Sequence, residues 1–202
     1  MNTGWSLQNS PNGTEYVHPD FGELHIGVRP DGNIGWTFHE KRGGGQVIVP
    51  FTFIGRTLFI GLLREVRQLQ GGVVFNVPRG FSNGGTPEED AIQEEGEEVG
   101  FLYTKSRIYK LPGEYGNPNS SFFVTEDSEG VMFYAYRLLE QEMEEVREAW
   151  WIKPVYQIKR NLLLPTSEDN IQGLRFLHWT VAARAGDMFS NAAVARLLAS
   201  FE

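Results

Sequence analysis

Two apolar runs limit what this chain can become. Val47-Ile48-Val49-Pro50-Phe51-Thr52-Phe53-Ile54 and Thr57-Leu58-Phe59-Ile60-Gly61-Leu62-Leu63 are joined by Gly55-Arg56. A strand with one wet face alternates apolar and polar positions, whereas a nearly continuous apolar strand is covered on both faces. The pair therefore predicts adjoining strands inside a layered molecule. The remaining order is strands, one short helix, strands, then helices. That order predicts an α/β arrangement on a mixed sheet, without regular β-α-β alternation.

Residues 1–20 are polar and turn-rich, which predicts a loose lead-in. Residues 24–28 and 34–38 alternate around Pro30-Asp31-Gly32-Asn33 and predict a hairpin. Residues 1–44 are expected as an N-terminal lead-in and hairpin extension, with 45–202 as the main domain. A further strand is expected at 73–77. A helix is expected from Pro87 to Val99, capped by Thr86 or Ser82, opened by proline and acids, and ended by Gly100. Strands are expected at 106–111, 131–138 and 149–152. Helices are expected at 155–161, at 169–185 (through Leu174, Leu177 and Val181) and at 191–199, the last capped by Ser190.

The 202 residues suit one domain with an appendage, and 41% hydrophobic with 22% charged residues suits a globular core. The net charge of -8 disfavours a duplex-binding surface. No cysteine is present, which excludes disulfides, thiolate catalysis and cysteine zinc sites. Met1-Asn2-Thr3-Gly4-Trp5-Ser6 lacks the basic start and apolar core of a signal peptide, and no apolar run is long enough to span a bilayer. A cytoplasmic location and no membrane partner are the expectations. The four histidines show no ligand spacing, and no phosphate-loop motif or nucleophile elbow is present.

The densest chemistry is Glu94-Glu95-Gly96-Glu97-Glu98. On a helix, Glu94 and Glu98 lie one turn apart with Glu97 beside them, so the like charges repel. Either water screens them or a hard cation such as Mg²⁺ neutralises them. Their surroundings favour the cation. The stretch Val77-Pro78-Arg79-Gly80-Phe81, then Pro87-Glu88-Glu89-Asp90-Ala91-Ile92-Gln93-Glu94-Glu95-Gly96-Glu97-Glu98-Val99-Gly100-Phe101, resembles the Nudix box. That box is the loop-helix-loop signature of hydrolases acting on nucleoside diphosphates linked to another group. The Pro-Arg-Gly-Phe opening is similar to the subset that includes ADP-ribose pyrophosphatases.

The resemblance implies a Nudix-type α/β/α sandwich with a mixed sheet and an N-terminal hairpin extension. It implies Mg²⁺, with Mn²⁺ as the alternative, held by Glu94, Glu97 and Glu98, the last two also catalytic. Arg67, Arg79 and Gly80 are implied in substrate binding. In the ADP-ribose-type members a general base comes from a loop between late strands, which maps to 140–148; Glu144 or Glu145 is expected, with Glu142 in reserve. Glu114 is an alternative neighbour of the metal. An N-terminal extension in such relatives helps to make a homodimer, which points to Trp36 and Phe38.

The chain departs from the box at three places. Gln93 stands where the box has arginine, Glu95 fills an apolar slot, and a loop one residue short puts Thr86 or Gly85 where the first glutamate belongs. Gly96, costly inside a helix, is expected to mark close packing against the preceding strand. The function implied is Mg²⁺-dependent hydrolysis of a pyrophosphate bond in a nucleoside diphosphate derivative, ADP-ribose or a nucleotide sugar. The alternative is a catalytically impaired Nudix-fold nucleotide-binding or regulatory module.

Overall fold

The computed structural model describes residues 6–10, 13–19, 22–28, 32–40, 45–67, 72–81, 85–102, 104–111, 123–125, 131–148, 152–165, 171–185 and 187–201. The chain forms two compact units. The first comprises 1–45, 81–83 and 114–132; the second comprises 46–80, 84–113 and 133–202.

The first unit holds β1 (Ser6–Ser10), β2 (Gly13–His18), β3 (Gly22–Val28), β4 (Ile34–Glu40) and β10 (Phe123–Thr125). β1 to β4 run as an antiparallel meander, and β10 adds in parallel to β4. The expected hairpin is β3–β4. The lead-in expected to be loose carries a second antiparallel pair, β1 with β2. Tyr16 and Leu24, Ile26 and Trp36, and Val28 and Ile34 are cross-strand partners. They give one apolar face, while Glu15, Glu23 and His25 occupy the other. His25 sits between the two acids, 3.3 Å from Glu15 and 3.1 Å from Glu23.

The second unit is built on β5 (Gly45–Ile54), β6 (Thr57–Arg67), β7 (Gly72–Asn76), β8 (Arg79–Phe81), β9 (Ile108–Lys110), β11 (Met132–Arg137), β12 (Met143–Val146), β13 (Val155–Ile158) and β14 (Ile171–His178). Among the described residues, the sheet runs β12-β13-β14-β6-β5-β11-β9, with β7 also on β6 and β8 on β5. β5 and β6 are central, as their unbroken apolar runs require. Pro50 lacks an N–H, and it lies where β5 changes partners: Phe51–Ile54 pair with β6, while the Ile48 N–H goes to Pro78 O (3.0 Å).

Helices cover both faces. α1 (Pro87–Val99) lies on the face of Tyr134 and Tyr136. Burial, with the Glu88 charge adding to it, pushes the Tyr134 phenol up to about 12, and Phe101 meets Tyr136 edge to face at 6.3 Å. α3 (Met188–Ala199) lies on the other face, where Arg196 stacks 4.2 Å over Phe133 and the following Phe201 packs on Phe51 and Phe53 at 5.6 Å each. This is the α/β/α sandwich on a mixed sheet that the resemblance implied.

Several expected elements differ. Where helices were expected at 155–161 and 169–185, residues 155–158 and 171–178 are strand, and 160–162 form a 3-10 turn. Val155 and Ile158 are spaced for a helix face, yet they are the buried ends of a four-residue strand paired with β12. Leu174, Leu177 and Val181 also fit a helix. However, Leu174 to His178 pair with β6, Gly173 (φ 87°) marks the irregular register, and helix begins only at α2 (Trp179–Ala182). His178, expected within a helix, ends β14, and its Nδ1 accepts the Thr180 N–H (3.3 Å). The loop expected at 140–148 is a 3-10 turn, Glu140–Glu142, followed by β12. α3 starts earlier than expected because Asp187, rather than Ser190, caps it. Ala149, Trp150, Trp151, Glu114, Ser82 and 41–44 lie outside the described residues, and Ile152 is fully exposed in a bend. No helix among the described residues is long and apolar enough to cross a membrane.

Candidate active site

The site grows from the strand–loop–helix of β7, β8 and α1. The N-terminus of α1 is closed by a capping box. The Thr86 hydroxyl accepts the Glu89 N–H (3.3 Å), and the Glu89 carboxylate accepts the Thr86 N–H (3.2 Å). Thr86, Lys105 and the Thr86 backbone together hold the Glu89 carboxyl below its usual value, with the Thr86 contacts leading. Asp90, buried on α1, accepts the Gly85 N–H at 3.1 Å, and a Cβ on Gly85 would come within 2.7 Å of that oxygen. The capping box and Asp90 thus anchor the helix at the place where the box's first glutamate is missing. At the far end, Gly100 takes the left-handed conformation (φ 73°) and returns its N–H to Gly96 O (3.0 Å). Leu164 then donates to Gly100 O (2.6 Å).

Glu97 and Glu98 lie in the last turns of α1. Glu97 is exposed and accepts from Gln93 Nε2 at 3.0 Å. The residue in the arginine slot therefore holds Glu97 through a neutral amide. Glu98 is half-buried, and its Oε2 is closed off from solvent. The side chains of Glu94 and Glu95 lie outside the described residues. Among the described residues, no group of three or more metal-ligating side chains is gathered. The two carboxylates on one helical segment nevertheless have the hard oxygen chemistry that Mg²⁺ selects.

Gly96 does not mark close packing. Among the described residues, a Cβ there would meet only Phe101 O, at 4.0 Å. Nothing in the structure explains the glycine.

Arg79 sits on β8 with Gly80 beside it. Its Nη1 donates to Asp187 Oδ2 at 2.5 Å, and its Cζ lies 5.3 Å over the Phe189 ring. Ser190 completes the contact: its hydroxyl donates to Asp187 Oδ1 (3.0 Å) and accepts the Val77 N–H (3.0 Å). Burial alone would raise the Asp187 carboxyl. The Ser190 N–H, the Arg79 charge and the Ser190 hydroxyl outweigh it and hold the carboxyl below its ordinary value. Sequence reasoning missed Asp187. Its only signal was a cap residue three positions before Ser190. Arg67 ends β6 opposite Gly72, and Arg64 is half-buried opposite Phe75.

Of the three expected base candidates, strand parity separates Glu144 from Glu145. Phe51 and Phe53 face α3, so Thr52 faces α1. Cross-strand partners share a face, and the chain of partners runs from Thr52 to Phe59. Phe59 stacks edge to face on Tyr156 at 4.8 Å, and Glu145 is the partner of Tyr156. Glu145 therefore lies on the α1 side of the sheet. The Tyr156 phenol, raised first by burial, is raised further by the Glu145 charge. α1 packs on β14, two strand spacings or about 10 Å from β12. Glu144 points to the opposite side and accepts from Gln157 Nε2 (2.6 Å). Glu142 is committed elsewhere, to Arg107 Nη1 (2.7 Å) and the Leu139 N–H (2.8 Å).

No family model and no curated protein sequence matches the chain. Solved structures do. An ADP compounds hydrolase superposes with a TM-score of 0.53 at 12% identity, over 98% of this chain and 95% of that one. The NUDIX domain of Shewanella oneidensis NrtR, in complex with ADP ribose, superposes with a TM-score of 0.51 at 12% identity, over 80% of this chain and 89% of that one. Identity at this level speaks for shape alone. The motif resemblance, its strand–loop–helix setting and these superpositions agree, and the chain has the Nudix fold.

Proposed function

We propose that the chain hydrolyses the pyrophosphate bond of a nucleoside diphosphate derivative, ADP-ribose or a nucleotide sugar, with Mg²⁺ (Mn²⁺ as the alternative) as its metal. The observation that carries this is the pair Glu97 and Glu98 on a doubly capped helix that follows Pro78 and β8 in the chain. The neighbouring structures, one an ADP compounds hydrolase and one in complex with ADP ribose, support the substrate class.

Glu94, Glu97 and Glu98 would hold the metal. When bound, it neutralises phosphate oxygens and makes a water more acidic for in-line attack at phosphorus. The chain's residues do the rest. Gln93 keeps Glu97 in one orientation. Arg79 and Arg67 supply guanidinium donors for phosphate oxygens, and Gly80 lets backbone approach without a side chain in the way. Glu145, on the α1 side of the sheet, takes the proton of the attacking water; Glu144 faces the other way and is the weaker candidate. The test is release of phosphate-containing products from a panel of ADP-ribose, nucleotide sugars and dinucleotides with Mg²⁺. Wild type is expected to turn over at least one of them and Glu98→Gln to lose that turnover. Equal background from the two proteins would sink the proposal.

A second reading has one observation behind it. Gln93 gives Glu97 a neutral partner where the box has a cation, which favours an impaired, nucleotide-binding module. Such a module would show tight nucleotide-induced thermal stabilisation with no product release. The finer expectations belong to the same proposal: a cytoplasmic enzyme, dimeric through the apolar face of the first unit, where Trp36 sits. The Phe38 side chain lies outside the described residues.

A further inference from the structure

We propose that Asp187 is a positioning residue. With Phe189 and Ser190 at the start of α3, it aims the Arg79 guanidinium and the Val77–Gly80 backbone at the substrate's phosphates. The proposal rests on the pyrophosphatase reading above and adds a second layer to it.

A guanidinium carries five N–H donors in one plane. Asp187 engages one terminal nitrogen, Nη1, at 2.5 Å. The Phe189 ring under Cζ at 5.3 Å restricts the plane from below. Two such restraints leave the remaining donors facing one direction, so an incoming anion meets a fork that is already oriented. A free arginine must lose its rotamer freedom at the moment of binding; this one has lost it on folding. The carboxylate is itself fixed, because its second oxygen, Oδ1, accepts both the Ser190 N–H and the Ser190 hydroxyl at 3.0 Å. The same hydroxyl accepts the Val77 N–H at 3.0 Å. Strand end, arginine and helix cap therefore share one hydrogen-bonded unit, and what holds Arg79 also sets the backbone that leads into Gly80. A surface ion pair serving stability alone has no need of the serine that joins it to the Val77 backbone.

The probe is methylenediphosphonate, which has the charge of a pyrophosphate and a bridge that water cannot cleave. Its affinity for the full chain is measured calorimetrically with and without Mg²⁺, alongside thermal melting. Asp187→Asn is expected to weaken binding about tenfold, the scale seen when an orienting partner is lost, while the protein still melts cooperatively. Asp187→Glu is expected to recover part of that loss. With a turned-over substrate, the loss should appear in KM more than in kcat. Unchanged affinity in a folded Asp187→Asn protein overturns the proposal. Should that variant not fold, Phe189→Leu decides: it keeps the ion pair and removes the platform, and weaker binding is expected, with unchanged affinity overturning. Wild type that binds the probe in this Asp187-dependent way yet releases no product from any substrate would defeat the pyrophosphatase reading and leave the positioning role standing.

Discussion

At the scale of single residues, the site divides into what a motif can announce and what only packing can. The places of Glu97 and Glu98 near the end of α1 were legible because their spacing before Val99-Gly100 is a sequence property; their role is part of the proposal. Asp187 was not, because its meaning comes from Arg79, a residue 108 positions away in the chain. The choice between Glu144 and Glu145 was equally closed to sequence, since adjacent residues on a strand differ only in the face they occupy. Parity now separates them. Glu145→Gln is expected to lower kcat about 100-fold, the usual range for a lost general base, and Glu144→Gln to stay within about twofold. Steady-state kinetics on the same substrate decides, and equal losses would return both residues to candidacy. Asp187 also predicts a pH effect. Its folded-state carboxyl lies below the ordinary 3.8, so its contribution to stability is complete above that value and drains away as pH falls through the lowered one. Urea midpoints measured down to pH ~3 should fall less steeply for Asp187→Asn than for wild type. Parallel curves would contradict this.

At the scale of elements, α1 was read correctly to its ends because caps are local chemistry: proline at the start, Thr86 with Glu89, and glycine at the stop. β14 was misread for a physical reason. Leu174, Leu177 and Val181 satisfy the helical period, but the slot between β6 and β13 needs a strand, and tertiary pairing outweighs local periodicity. Gly96 within α1 and its C-cap Gly100 test how far local rules hold. Gly100 is left-handed, and Gly100→Ala is expected to cost about 1 kcal/mol. Gly96 has helical backbone and open space at its missing Cβ, so Gly96→Ala is expected to add about 1 kcal/mol. Chemical denaturation of both variants reads the two signs directly; a destabilised Gly96→Ala would show that the glycine has a packing role after all.

At the scale of the whole molecule, the layered core was foreseeable from the unbroken apolar runs of β5 and β6, whereas the extent of the first unit was not. Its polar turn residues hid a four-stranded meander with one apolar face. Val28 and Ile34 on that face are 65% and 80% exposed. If that face joins two copies, sedimentation should show a concentration-dependent dimer, and Val28→Asp with Ile34→Asp should leave monomer. A wild-type chain that stays monomeric at every concentration would exclude it. The hydrogen bond from the Val77 N–H to Ser190 carries a further consequence, because it spans 113 residues. Loops of that length close late, after local structure has formed. On the ribosome, α1 and its acids emerge well before α3 exists, so the Val77 backbone between β7 and β8 waits unlatched. Competence at this site would then arrive with the final stretch of synthesis, and a nascent chain stalled before Asp187 would carry the acids without the latch.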